Sequence, residues 1–300
     1  MTLPTPSNEE QRSGLGGTVL VIQVTFLAVL SVLLMAQGFF PTIEWIVVLV
    51  VLLLIWRGRE RRLLAALMPF LLLLITYQFL RGFADDLTPM DIHVTDLIAW
   101  EKALFNGLIP AAWVQANLTS PALTRLLDPI LNVAYMGHFV YPVLLGIVLW
   151  YRRHDWYWPF MAGLIIMSYT GFVAFLLFPA APPWWATRYG YMLDQPVTLA
   201  RFAMPLAIEV GSPNPVAAMP SLHCAYIAYI ALVSLGAWGS KAWWVLLWVG
   251  VVSFSTVYLG HHWVIDILAG YFFAVDAFLL AWLGRRILLK RQALKGLPAA

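Results

Sequence analysis

Residues 263–284 read WVIDILAGYFFAVDAFLLAWLG, twenty-two residues with two carboxylates and no basic side chain. As a helix rising about 1.5 Å per residue, the stretch is roughly 33 Å long, enough to cross a hydrocarbon core of about 30 Å. One of its carboxylates, Asp266, lies one turn in, four residues after His262. A charged side chain at the centre of a membrane helix costs about 2.5–3.5 kcal/mol on insertion scales unless it is paired, and residues four apart share a helix face. The stretch therefore points to a membrane helix with a His–Asp pair at its mouth.

The rest of the chain agrees. Of 300 residues, 62% are hydrophobic and 11% charged, whereas a soluble domain carries about 45–50% apolar and about 25% charged residues. A soluble enzyme, a disordered tail and a coiled coil are excluded. The expected fold is all-α, a polytopic transmembrane bundle of about eight spans: Thr18–Phe39, Ile43–Trp56, Leu63–Leu80, Val133–Tyr151, Tyr157–Phe178, Leu222–Trp238, Ala242–Leu259 and Trp263–Gly284. The first is expected to stay as a span rather than be cleaved as a signal, because its leader is not positive and its apolar run is long. A single cysteine, Cys224, rules out an intrachain disulfide framework and a multi-cysteine metal site. There is no internal repeat, nucleotide-cradling glycine loop or zinc-finger spacing, and nucleic acid is not an expected partner.

The basic residues set the expected topology. Arg12, the arginines at 57, 59, 61 and 62, Arg152, Arg153, Lys241 and the tail from Arg285 to Lys295 put thirteen of eighteen on one side, which is the cytoplasmic one. Both termini are expected there, in the cell membrane. The domain reading is an N-terminal tail with two accessory helices (1–62), a six-helix core (63–284) and a basic tail (285–300). Two long non-cytoplasmic segments interrupt the core, 81–132 and 179–221. The first is acidic and holds the amphipathic stretch Leu97–Leu108; the second is rich in proline and tryptophan and suits a rim at the membrane surface.

Chemistry-bearing residues meet at the mouths of spans six and eight. The first motif runs Met219-Pro220-Ser221-Leu222-His223, and the second runs from Ser255 to Asp266 through Gly260-His261-His262. Both face the same side. A carboxylate against one imidazole nitrogen fixes the tautomer and leaves the other nitrogen as base or nucleophile, so Asp266 would orient His262 while His223 carries a second proton. Both helix starts would aim backbone N–H groups at the same place, an arrangement suited to phosphate, with Ser221 adding a hydroxyl.

Pro220-Ser221-x-His223 and Ser255-x6-His262-x3-Asp266 resemble the second and third signature motifs of the type-2 phosphatidic acid phosphatase superfamily. The resemblance implies a six-helix core, spans three to eight here. It also implies that His262 attacks phosphorus to form a phosphohistidine, that Asp266 orients it and that His223 protonates the leaving group, without metal or cofactor. The usual first motif is absent, with Ala180-Ala181-Pro182-Pro183-Trp184-Trp185 in its place. Thr256 stands where a phosphate-binding arginine is expected, and Leu222 where a glycine is. This set, with its doubled histidine, resembles the inositol phosphorylceramide synthase branch and its bacterial relatives. The implied activity is transfer of a phosphorylated headgroup from a donor lipid to a lipid hydroxyl, with membrane lipids as donor and acceptor.

With the usual arginines missing, Arg188 is the first candidate for the phosphate's positive charge, ahead of Arg201 and Arg81. Ser221 stands between helix cap and phosphate contact, and His261 between interfacial packing and a phosphate donor. Trp184 and Trp185 stand between headgroup stacking and an interfacial belt. His93 and His138 lie near the same face as the motifs. A phosphatase acting on a lipid or polyprenyl phosphate is the alternative function, differing only in water as acceptor. A proton-coupled transporter is a remote one, since it would place His223, His262 and Asp266 at mid-depth in interrupted helices. A serine protease on Ser221 fits worst, for want of a nucleophile elbow.

Overall fold

The computed structural model describes residues 91–118, 120–199 and 215–294, preceded by Leu63, residues 65–73 and Thr76, all helical. The expected spans Thr18–Phe39 and Ile43–Trp56, along with Arg81 and Arg201, lie outside the described residues, and Leu63–Leu80 is described only in part. The chain divides into two compact units, Met1–Phe79 and Leu80–Ala300.

In the second unit the described residues form helices α1 (Thr95–Leu104), α2 (Pro110–Asn117), α3 (Pro121–Met136), α4 (Val140–Arg152), α5 (His154–Leu177), α6 (Pro183–Arg188), α7 (Leu222–Trp238), α8 (Trp244–Tyr258) and α9 (Val264–Leu294). Strands are absent among the described residues; His93, Ala180 and Ala217 form only two isolated bridges. The protein is an all-α, multi-pass membrane protein. Helices α5, α7 and α9 are each long and apolar enough to cross a bilayer, and α3 with α4 supplies a bent pair.

Expected span six coincides with α7, and span five is α5 to within a few residues. Span four differs. Instead of one rod over Val133–Tyr151, α3 ends at Met136 and α4 restarts at Val140 after a 3-10 turn, with a bend of 60°. Pro142 explains the restart: it has no N–H to give and fits only the first turn of a new helix. The break frees carbonyls, and the Tyr141 hydroxyl donates to one of them, Ala134 O, at 3.1 Å. Span seven is shorter than expected because Gly239–Ala242 is a 3-10 turn, which leaves α8 fifteen residues, about 22 Å. Span eight continues ten residues past Gly284 into the basic tail as one 31-residue helix.

Helix α7 is the hub, packed against α9, α8, α5 and α4, while α9 also lies along α5. At one end of α5 and α9, Arg285 donates from Nε to Asp155 Oδ2 at 2.8 Å, and its guanidinium covers the Trp156 ring at 4.9 Å. Buried hydroxyls inside the bundle find acceptors, as a low-dielectric interior demands: Tyr229 donates to Phe160 O, and Ser168 donates to Leu164 O while bonding Tyr226. At the other end α7 and α9 come so close that the Ser221 N–H donates to Asp266 O at 2.9 Å. A Cβ on Gly270 would collide with Ser221 O.

Gly270→Val should therefore force α7 and α9 apart. Overpacking of this kind costs about 1–3 kcal/mol, so the thermal midpoint in detergent should fall by about 3–10 °C. An unchanged midpoint would contradict the close crossing.

Candidate active site

The two long segments between helices converge over the mouths of α7 and α9. His93, just before α1, donates its N–H to Pro179 O at 2.8 Å and accepts from Ala181 N at 3.0 Å, while Ala180 pairs with Val216 and Ala218. Ala180 and Ala181 are fully buried; no larger side chain fits where three backbone segments meet. Below them the Trp263 indole donates to Ala181 O at 2.8 Å. Gln115 ties a second segment down, donating to both Thr198 O and Tyr258 O and accepting from Thr198 N.

The turn from α8 to α9 then presents the doubled histidine. Gly260 has φ +78°, a left-handed conformation open to glycine at little cost, and a Cβ there would meet Val197 at 2.6 Å. The backbone N–H groups of His261 and His262 both donate to Thr256 O, at 3.0 and 3.3 Å.

These turns produce a linear chain of three side chains. Asp266, with no exposed surface, accepts from Trp263 N at 2.9 Å through Oδ2, and the same oxygen lies 3.4 Å from His262 Nδ1. His262 Nε2 lies 3.1 Å from His223 Nδ1. If His262 donates Nδ1–H to the carboxylate, its Nε2 carries a lone pair and faces the proton on His223 Nδ1. The order carboxylate, imidazole, imidazole allows a nucleophile to be oriented from one side and a proton to be delivered from the other.

Tyr135, which the sequence did not single out, and His138, expected near the same face, complete the cluster. The Tyr135 ring at the end of α3 lies between two histidines, stacked on His223 at 4.3 Å and on His261 at 4.4 Å between centroids. His138 lies 4.0 Å from the His223 ring. Periodicity could not reveal Tyr135, since it meets residues nearly 90 or more positions away, although its place just before a Gly-His pair marks a helix break. His261 is buried, and burial first, then the neighbouring His262, pull its pKa down to about 3, so it stands neutral.

The second unforeseen residue is Glu101 on α1. It has no exposed surface and accepts from Val264 N at 3.0 Å and Ile265 N at 3.4 Å. Burial, only partly offset by those hydrogen bonds, pushes its pKa up to about 7. This corrects the expectation of an open anion site at the start of α9, where the first N–H groups already serve Asp266 and Glu101; at α7 Ser221 Oγ caps Cys224 N at 3.4 Å. Side chains fill these positions because unsatisfied N–H groups at a buried helix end are expensive.

Of the other predicted residues, Arg188, Trp184 and Trp185 lie on α6. Arg188 is exposed on the last turn of α6 rather than buried with the histidines. Trp184 is half-buried and joins the rim to the turn through its backbone N–H to Gly260 O. The Trp185 ring packs on Tyr189 at 4.2 Å between centroids, tilted by 34°. Among the described residues, no three His, Cys, Asp or Glu side chains are placed to share a metal ion.

The family model described as PAP2 superfamily matches residues 95–280, from the first residue of α1 to well into α9. The chain belongs to the PAP2 superfamily. Among curated proteins it is similar to a phosphoinositol dihydroceramide synthase of Bacteroides thetaiotaomicron, 29% identical over 74% of this chain and 76% of that protein. It is also similar to an inositol phosphorylceramide synthase of Candida albicans, 27% identical over 60% of this chain and 42% of that larger protein. These relatives lie in the branch that the motifs resemble. No solved structure matches the chain.

The stacked rings yield a prediction specific to this PAP2 member. Tyr135→Phe keeps the aromatic face and should leave turnover within about threefold. Tyr135→Ala removes the wall between His223 and His261 and should lower it by tens of fold, since displacement of a reacting group by about 1 Å can cost 10²-fold. Product formation by the two variants checks this, and equal rates would leave the stack without a role.

Proposed function

We propose that this protein is a lipid phosphotransferase that moves a phosphorylated headgroup from a donor lipid to a lipid hydroxyl through His262. The chain from Asp266 through His262 to His223 carries the reading, with spacings of 3.4 and 3.1 Å. The names of the two relatives support phosphoinositol as the headgroup and a ceramide or dihydroceramide as the acceptor.

In the first step His262 Nε2 attacks phosphorus, and the bond from phosphorus to the donor's leaving oxygen breaks. His223 gives its proton to that oxygen, and the donor leaves as a neutral lipid alcohol. Asp266 stabilises the positive charge that builds on the His262 ring. In the second step the acceptor hydroxyl attacks phosphorus, its proton passes to His223, and the P–N bond breaks. Each proton borrowed in the first step is restored in the second.

The substrate's charge is met from the rim by Arg188, with Arg201 and Arg81 as the further candidates from sequence alone, and His261 and Ser221 serve the phosphate. Trp184 and Trp185 offer stacking faces to a polyol. The bias of basic residues puts this site on the non-cytoplasmic side, where the histidines sit at the helix mouths rather than at mid-depth as a transporter relay would require.

Purified protein in detergent, given a phosphoinositol glycerolipid and a ceramide, should form a new phosphodiester lipid only when both are present. His262→Ala should abolish it, and Asp266→Asn should lower kcat by about 10²–10⁴-fold. Free phosphate without an acceptor would make the protein a phosphatase instead. Full activity in His262→Ala would remove the proposed nucleophile.

A further inference from the structure

The start of α9 is held by a closed circuit of hydrogen bonds. His93 O accepts from Ala181 N, Ala181 O accepts from the Trp263 indole, and Val264 and Ile265 donate to Glu101, eight residues after His93. The segment entering α1, the junction before α6 and the first turn of α9 are thus joined in a ring. Apolar side chains fill the ring: Val94, Leu97, Ala180, Ala181, Trp263 and Ile267 belong to one buried cluster. Glu101 is the one carboxylate that closes it, and it reaches α9 from a helix lying 163 residues earlier in the chain.

Asp266 alone does not set its own direction. Its Oδ2 serves both Trp263 N and His262 Nδ1, and its Oδ1 is buried without a hydrogen-bond partner among the described residues. The distance to His262 is long for a hydrogen bond, at 3.4 Å, so a small rotation of the first turn would break it. Glu101 limits that rotation, holding Val264 N firmly at 3.0 Å and Ile265 N more loosely at 3.4 Å, because an acceptor with two contact points constrains the angle of the turn as well as its distance.

We propose that Glu101 is a positioning residue that locks the first turn of α9, so that Asp266 holds His262 with its Nε2 aimed at His223. The proposal rests on the reading of His262 as the attacking group. Glu101 touches neither substrate nor reacting atoms; it acts through the helix start. Its carboxylate takes the place at the N-terminus of α9 that the sequence alone would give to phosphate, which leaves phosphate to be bound from the rim side. The raised pKa of Glu101 fits a group held there against the cost of burial.

The test uses the full chain in detergent micelles and two readouts. Glu101→Ala should lower kcat by about 10–100-fold with KM within about twofold of wild type, because turnover needs the oriented imidazole and ground-state binding does not. Glu101→Gln keeps an oxygen acceptor for Val264 N and should recover at least tenfold over the alanine variant. Where the alanine variant does not fold, Glu101→Asp, whose shorter side chain does not reach both N–H groups, takes its place. A kcat lowered at wild-type KM and thermal midpoint in that variant supports the proposal, and wild-type kcat in it overturns the proposal.

The second readout needs no turnover. Acylation of His262 by diethyl pyrocarbonate, followed by peptide mass spectrometry with His154 as internal reference, should be at least fivefold slower than wild type in the alanine variant, or in the aspartate variant that replaces it, and close to wild type in the glutamine variant. Unchanged His262 reactivity in the alanine or aspartate variant overturns the proposal. Slowed acylation in a protein that transfers no headgroup would instead sink the functional reading and leave the positioning role standing.

Discussion

A carboxylate with no exposed surface, at the mouth of a membrane helix, is the constraint on which the site depends. Asp266 can be tolerated there only if its environment is polar and fixed. The chain supplies a backbone N–H from Trp263 and an imidazole from His262 to its side chain, while its own carbonyl takes the Ser221 N–H and so joins α9 to α7. Gly270 one turn further on lets the two helices close. Satisfying one costly group thus brings His223 and His262 into contact, although 39 residues separate them. Stability and chemistry share a cause here.

The two long segments between helices make this possible. Their bridges through His93, Ala180 and Ala217 and the double bond of Gln115 to Thr198 build a cover of backbone over the helix mouths. Beneath this cover His261 and His262 are buried, and a buried setting strengthens electrostatic interactions such as that of His262 with Asp266. The cover leaves Arg188 and the Trp185–Tyr189 pair at the outer edge, where a lipid headgroup would arrive.

Much of this was legible in the sequence, for local reasons. Apolar runs of membrane length placed α5, α7 and α9, and a spacing of four put Asp266 beside His262. Pairing the two motifs across the bundle needed only the alternation of charge between loops. What escaped was set by contacts across long separations. Tyr135 between His223 and His261, and Glu101 beneath α9, carry no signal in their own neighbourhoods; Glu101 reads as one more acid in an acidic segment. The bend between α3 and α4 was present in Gly137 and Pro142 but was masked by an apolar run long enough to pass for one span. The start of α9 is not the open anion site its own sequence suggests, because its cap is a carboxylate 163 residues away that nothing in α9 announces.

The central claim is that His262 becomes covalently bonded to phosphorus during turnover. It is tested most directly by incubating the protein with a radiolabelled phosphoinositol donor in the absence of acceptor, quenching at high pH and mapping the label by peptide mass spectrometry. An acid-labile, base-stable adduct on the peptide containing His262, discharged by added ceramide and missing from His262→Ala, is the predicted result. Label on His223, or turnover at full rate with no adduct on any histidine, would contradict the account.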